Sequence, residues 1–334
     1  MIVQDSNTTQ TETETETDES IKKKISSNLE GINTQSKNYI KDIVNLINKE
    51  IGINKIASII LFGSQRPNQE NTSVSDCDLL FIFKNRVSNS HIREIEKYFI
   101  ALEIKHDFRD AKSDILHYML NVLQNTTGMF VSHFLTKERF WKEMIFHKIF
   151  RVNRVFSAIF APKNIVLGNV IQNSTILYGD DLRGIIKPKI HASIDEMFRS
   201  MAMNLFISFF SILIGPLHFL NGMKYQLEAI KWSLRASNFY CFGDTESLLK
   251  VIDRFISFEK PKKQEKARKF FTEFLSLRDA PLNDIKFMAR CPLRILKIHG
   301  KAIVYRKTIK RKEIRIPSKP PDTTSSFHNF PLQF

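Results

Sequence analysis

Cysteine is scarce in this sequence of 334 residues, and its three copies, Cys77, Cys241 and Cys291, are far apart and form no Cys-x-x-Cys pair. This spacing argues against a disulfide scaffold and against a zinc cluster, which needs closely spaced ligands. It fits a protein of the reducing cytoplasm. The first twenty residues also lack the apolar core of a signal peptide. We therefore expect a cytoplasmic protein.

Long apolar runs are also lacking, and only one stretch is a candidate for a membrane-spanning helix. Residues 200–223 contain no Asp, Glu, Lys or Arg. However, Asn204, Pro216 and His218 interrupt this stretch, and its most apolar part is shorter than the about 20 residues that a membrane-spanning helix needs. The pattern favours a core helix of a bundle over a membrane span.

Acidic and basic residues are segregated along a chain whose net charge is +15. Residues 1–20 contain six acids and no Lys or Arg, whereas residues 286–319 contain twelve Lys or Arg and one acid, Glu313. A basic segment of this kind attracts RNA, nucleotides and anionic membranes. A solvated tail without a specific partner is the alternative. RNA or another polyanion is thus a candidate partner of the C-terminal tail.

The hydrophobic pattern changes after Lys189. Before it, apolar runs of strand length alternate with segments of helical spacing, and after it the spacing is helical throughout. The strand-like runs are 56–64, 78–83, 129–135 and 175–179. The pattern predicts an α+β fold, with a small mixed-sheet domain followed by a C-terminal helical bundle.

We therefore predict that the chain divides into four segments. The mixed-sheet domain is predicted to cover residues 35–185 and the helical domain residues 186–303. The acidic segment 1–34 and the basic segment 304–334 are predicted to be disordered tails, because they have too little apolar surface to order themselves.

The segment with the clearest chemistry lies between the first two apolar runs. Gly63 and Ser64 end the first run, and eleven residues separate Ser64 from Asp76. A glycine lets the backbone approach a phosphate, and a serine adds a hydroxyl and an N–H. In an extended segment Asp76 and Asp78 share one face while Cys77 points into the core. Two adjacent carboxylates repel each other unless a cation neutralises them, so the pattern predicts a Mg²⁺ site.

These residues resemble the signature of the nucleotidyltransferase superfamily typified by DNA polymerase β. The signature is an apolar residue, Gly, Gly or Ser, a spacer, and then Asp-x-Asp/Glu between apolar positions; Phe62, Gly63, Ser64, Asp76 and Asp78 match it. The chain looks most like minimal nucleotidyltransferases and aminoglycoside adenylyltransferases, which have a helical C-terminal domain. The segment STILYGDDL, residues 174–182, is similar to an element between their two domains.

The resemblance implies a reaction and roles for these residues. A nucleoside monophosphate, AMP from ATP, would pass to an acceptor hydroxyl between the domains, and pyrophosphate would leave. Asp76 and Asp78 would hold Mg²⁺, and Gly63 and Ser64 would cradle the β- and γ-phosphates. The identity of the acceptor is not written in the sequence.

A third acidic ligand is harder to find. The superfamily usually supplies it from a later strand, and Glu103 is a candidate catalytic residue if its segment is extended. The apolar positions 92, 95, 99 and 102 instead indicate a helix there. If residues 129–135 form the third strand, its polar positions are Ser132 and His133, and it has no carboxylate.

A lysine from the helical domain is the other candidate. Lys224, Glu228, Lys231 and Arg235 fall on one face of a predicted helix. The resemblance implies that Lys231 or Lys224 reaches the triphosphate, and a salt-bridged solvated face is the alternative.

Two further functions remain open. A catalytically impaired protein that binds nucleotides or RNA is one. The other is an antitoxin-like partner that adenylylates a protein, which would require a stable complex and an exposed apolar patch on the helical domain.

Overall fold

The computed structural model describes residues 23, 25–63, 77–108, 131–214 and 222–315. Its N-terminal part contains four strands and the helices that cover them. In chain order these are α1 Thr34–Glu50, β1 Ile56–Phe62, β2 Asp78–Phe83, α2 Asn89–Lys105, β3 His133–Lys137, α3 Glu138–Lys142, α4 Phe146–Ile149, α5 Arg154–Phe160, α6 Lys163–Gln172, β4 Ser174–Gly179 and α7 Arg183–Ile186.

The four strands form one mixed sheet in the order β3-β2-β1-β4. β1 is antiparallel to β2 and β4, and β2 is parallel to β3. At the edge of the sheet formed by the strand ends, Phe62 pairs with both Asp78 and Ser174, and Leu79 pairs with His133. The end of β1 and the beginnings of the other three strands therefore meet at that edge.

Both faces of the sheet are covered, which explains why the strands are apolar without alternation. Leu79 and Phe81 pack with α1 and α2 in one hydrophobic cluster. Leu80, Ile82 and Phe62 pack on the other face with α3, α4 and α6. Because successive side chains of a strand alternate between faces, Asp78 belongs to the face of Leu80.

The C-terminal part is helical, as predicted. After the short 3₁₀ segment Lys187–Lys189, its helices are α8 Ile194–Ile214, α9 Gly222–Phe242, α10 Leu248–Ser257, α11 Pro261–Asp279 and α12 Ile285–Arg315. Together with the mixed sheet, these helices confirm the α+β fold with a C-terminal bundle. The segment 258–260 separates α10 from α11.

The uncharged stretch after residue 200 forms most of α8, and residues 215–221 lie outside the described chain. Ser208 and Ser211 of α8 are buried and hydrogen-bond to Gln226 of α9. No single helix of the described residues is long and apolar enough to cross a membrane; α5 and α6, bent by 90° relative to each other, pass that test only as a pair.

The predicted domain boundaries need correction at both ends. Ile25, Leu29 and Ile32 are buried in the cluster of α1, and Asn28 donates a hydrogen bond to the carbonyl of Leu177 at 3.1 Å. The packed chain therefore begins before residue 35. This segment was predicted as a tail because its few apolar residues are diluted by polar ones.

At the other end, α12 continues through residue 304 to Arg315. The ring of Tyr305 stacks on Phe258, with the ring centroids 4.1 Å apart. The basic tail was therefore predicted to begin too early. The third strand also begins later than predicted, at His133.

Candidate active site

Gly63 and Asp78 form the centre of the candidate site. Gly63 directly follows β1, and Asp78 opens β2 beside it. A Cβ atom on Gly63 would lie 2.2 Å from Oδ2 of Asp78, and the backbone of Gly63 has a φ of +82°. Side chains rarely adopt this conformation, and here one would also collide with the carboxylate. Both facts require a glycine, so the carboxylate lies directly against the bare backbone of the strand end.

Ser64 and Asp76, the other two residues of the predicted motif, lie outside the described residues. The two motif residues that the structure describes, Gly63 and Asp78, are in contact. The roles predicted for Ser64 and Asp76 stay predictions.

The neighbour of Asp78 on the next strand is a serine. The N–H of Leu79 donates to the carbonyl of Ser132 at 2.8 Å, and the Ser132 side chain is buried. By the parallel register, Ser132 occupies the position beside Asp78 on the same face. Within the described ranges, no three His, Cys, Asp or Glu side chains cluster as metal ligands. The adjacent strand therefore contributes a hydroxyl here where the resemblance implies a carboxylate.

Glu103 lies on helix α2, so the extended segment required for its predicted role does not form. Its carboxylate accepts a hydrogen bond from Nδ1 of His133 at 2.6 Å, and both side chains are buried. The ring of Phe99 packs edge-on against His133. Since α2 covers the face of Leu79, Glu103 belongs to the face opposite Asp78. The partner of Glu103 is therefore a residue of β3, on the face of the sheet that α1 and α2 cover.

Tyr39 is a residue of this region that sequence reasoning missed. Its side chain is fully buried, and its hydroxyl has no hydrogen-bond partner among the described residues. Burial raises the pKa of Tyr39 well above its usual value, and the nearby groups Glu103, Cys77 and Asp78 raise it further. Tyr39 therefore stays protonated beneath the strand ends. Nothing in the sequence indicated these neighbours, because Cys77, Asp78 and Glu103 come from later parts of the chain.

Lys231 lies within an ionic cluster of the helical bundle. Its Nζ atom is 2.6 Å from Glu228, and Arg278 of α11 contacts the same carboxylate at 3.0 Å. Burial would raise the pKa of Glu228, but Lys231 and Arg278 outweigh it and lower this pKa to about 2. Burial also lowers the pKa of Lys231. Lys231 therefore forms a salt bridge, which is the alternative to a nucleotide-binding role for this face of α9.

The observed partner of Lys231 is Glu228 of the same helix, and its role at the triphosphate stays a prediction.

An apolar face is exposed on the helical part. On α8 it includes Phe209 and Leu213, which are 55% and 74% exposed, and Leu293 of α12 is 66% exposed. α8 packs beside α12. The other exposed apolar side chains of these two helices include Phe198, Phe206, Leu296 and Val304. Exposed apolar side chains on two adjacent helices are a candidate interaction site, and this set on α8 and α12 is hereafter called the apolar face.

Compared with known families and curated proteins, the sequence matches no family model and no curated protein. Among solved structures, the chain is similar to a crystal structure of spectinomycin adenyltransferase AAD(9) from Enterococcus faecialis with ATP and spectinomycin. The identity is 11%, the match covers 80% of this chain and 99% of that chain, and the TM-score is 0.46. The function proposed below is therefore argued from the residues of the chain itself.

Proposed function

We propose that this chain is a metal-dependent nucleotidyltransferase that moves a nucleoside monophosphate, AMP from ATP, to an acceptor hydroxyl and releases pyrophosphate. The contact between Gly63 and Asp78 is the observation that carries the proposal, because it sets a carboxylate against a bare strand end. A phosphate can approach a backbone that has no Cβ, and a carboxylate beside it can share a cation with that phosphate.

The residues present fit a magnesium ion. Asp78 offers hard carboxylate oxygens, and Asp76, two residues before it, would offer another. When bound, Mg²⁺ would neutralise the triphosphate and lower the pKa of the acceptor hydroxyl. Gly63 and Ser64 would hold the β- and γ-phosphates through backbone N–H groups and the serine hydroxyl. The two aspartates would orient the α-phosphate toward the acceptor.

The test is transfer of label from each of the four α-labelled nucleoside triphosphates, with Mg²⁺ and a cell extract as the source of acceptors. We expect one labelled product, with ATP as the preferred donor, that is lost in Asp78→Asn. Asp253→Asn is the matched control, because Asp253 is an exposed acid of α10 outside the site. Full activity of Asp78→Asn would refute the assignment. Nucleotide binding without transfer by the parent protein would favour the catalytically impaired alternative.

A protein acceptor is a second candidate, and the apolar face favours it. Lys286, Lys297 and Lys307 are exposed along α12 next to this face. A complementary partner would present an apolar surface edged by acidic residues, because like charges across an interface oppose binding.

Labelling of one protein band would support this candidate if Leu213→Asp and Phe209→Ser remove it. Leu249→Ser is the matched control, because Leu249 is an exposed apolar residue of α10, away from the face. Label confined to small molecules, unchanged in the face variants, would refute it.

A further inference from the structure

A cavity of about 410 Å³ opens where the sheet domain meets the helical bundle. Its walls come from α6, from the connector 187–192, from the C-terminal end of α9 and from α12. A volume of this size is typical of sites for small molecules. The cavity is therefore large enough for a metabolite-sized ligand.

The charges around this cavity have one sign. Lys187 and Arg306 line it, together with the imidazole of His191, and none of the described lining residues is an Asp or Glu. The side chains of Lys187 and His191 form no ion pair or hydrogen bond with another described residue. A pocket with two cations and no carboxylate selects an anionic ligand over a neutral or cationic one.

Arg306 is held in place before any ligand binds. Its guanidinium lies over the ring of Tyr240, 4.2 Å from the centroid, and donates one hydrogen bond to the carbonyl of Ala192 at 2.7 Å. A guanidinium has five N–H donors, so most of them stay available for a phosphate or carboxylate. Because the side chain is already ordered, binding an anion requires little further loss of entropy.

The cavity lies next to the edge of the sheet that carries Asp78. Gln172 lines the cavity, and Ser174, two residues later, pairs with Phe62 at the end of β1. Phe62 in turn pairs with Asp78 on the other side. Two strand spacings of about 4.8 Å place the backbone of Ser174 roughly 10 Å from that of Asp78. A metabolite held in the cavity can therefore extend toward the candidate site.

We propose that this cavity binds the acceptor, and that the acceptor is a small hydroxylated molecule carrying a phosphate or carboxylate. Lys187 and Arg306 bind the anionic group, and the hydroxyl at the other end of the molecule points toward Asp78. This inference rests on the proposed function. It excludes cationic acceptors, since nothing in the described lining would neutralise them.

The test uses the full-length protein and two matched pairs of probes: ribose 5-phosphate with ribose, and glycerol 3-phosphate with glycerol. Binding is measured by calorimetry without nucleotide, and transfer is measured with α-labelled ATP and Mg²⁺. We expect at least one phosphate to bind tenfold or more tightly than its neutral counterpart and to accept the label. Lys187→Gln and Arg306→Gln should each raise its KM at least fivefold while the Kd for ATP stays within twofold.

Two further variants keep the result interpretable. Arg306→Lys retains the charge if Arg306→Gln is unstable, and Lys187 is exposed, so Lys187→Gln should fold normally. Lys266→Gln, at an exposed position of α11, is the control and should change nothing.

Equal binding of phosphate and neutral probes, or binding of neither phosphate, would overturn the proposal. So would a loss of ATP affinity in Lys187→Gln, because the cavity would then hold the nucleotide. Binding that depends on Lys187 and is never followed by transfer would refute the proposed function and leave the anion site standing.

Discussion

The Cα atom of Gly63 faces the carboxylate of Asp78 so closely that a methyl group between them would stand 2.2 Å from Oδ2. Gly63→Ala should therefore displace Asp78 and reduce transfer at least 100-fold. The positive φ adds a strain of roughly 1–2 kcal/mol, so the melting temperature should also fall. Gly300→Ala is the control, because a Cβ there meets open space on α12. It should keep full activity, and equal effects of the two changes would contradict the site.

Glu103→Gln should affect stability more than catalysis. The buried carboxylate accepts a hydrogen bond from His133 at 2.6 Å, and the substitution would remove its charge. We expect a loss of roughly 1–3 kcal/mol in the free energy of unfolding, with kcat within a few-fold of the parent. Glu94→Gln, on the exposed side of α2, should change neither. A 100-fold fall in kcat at unchanged stability would instead restore Glu103 as a catalytic residue.

Lys231→Met should lower stability and leave the affinity for ATP unchanged. The substitution would remove one of the two cations that hold Glu228 ionised, and Arg278 alone would remain. The two side chains are 20% and 18% exposed, so losing one partner of this partly buried pair should lower the free energy of unfolding by roughly 1–3 kcal/mol. Urea unfolding and ATP titration measure the two quantities. Tenfold weaker ATP binding at normal stability would show that Lys231 contacts the nucleotide.

The stability of the protein should fall in mild acid because of His299. Its ring is buried, Nδ1 donates to the carbonyl of Ile295, and burial lowers its pKa from 6.5 to about 4. The depressed pKa means that the stabilising contribution is complete above pH 6.5 and is lost as the pH falls through 6.5 toward 4. This group alone should lower the free energy of unfolding by about 2 kcal/mol between pH 8 and pH 5. Urea unfolding of His299→Gln should show a smaller difference.

Truncation after Arg315 should separate polyanion binding from the rest of the protein. An earlier cut would remove Arg306 and Tyr305, which pack against Tyr240 and Phe258. Without residues 316–334, we expect unchanged stability and ATP affinity. RNA binding should keep most of its salt dependence, because most of the basic residues lie on α12. Loss of ATP binding would place the nucleotide on the tail.

The sequence predicted the elements that have strong local patterns. β1 and β2 are continuous apolar runs, and the glycine and aspartate at their adjoining ends indicated the site. The pairing of Glu103 with His133 was not predictable, because the two residues are 30 positions apart and meet only when α2 covers the sheet. Ile25 and Leu29 were missed for a related reason, since their burial depends on a layer formed by later parts of the chain.

The contact between α6 and α9 has a consequence for how this sequence can vary. A Cβ on Gly168 would lie 2.1 Å from the ring of Phe239, so the ring occupies the space that any side chain at position 168 would need. Either residue can change only if the other compensates. Positions 168 and 239 are therefore expected to covary among homologues, with glycine opposite an aromatic ring and larger residues opposite a small one.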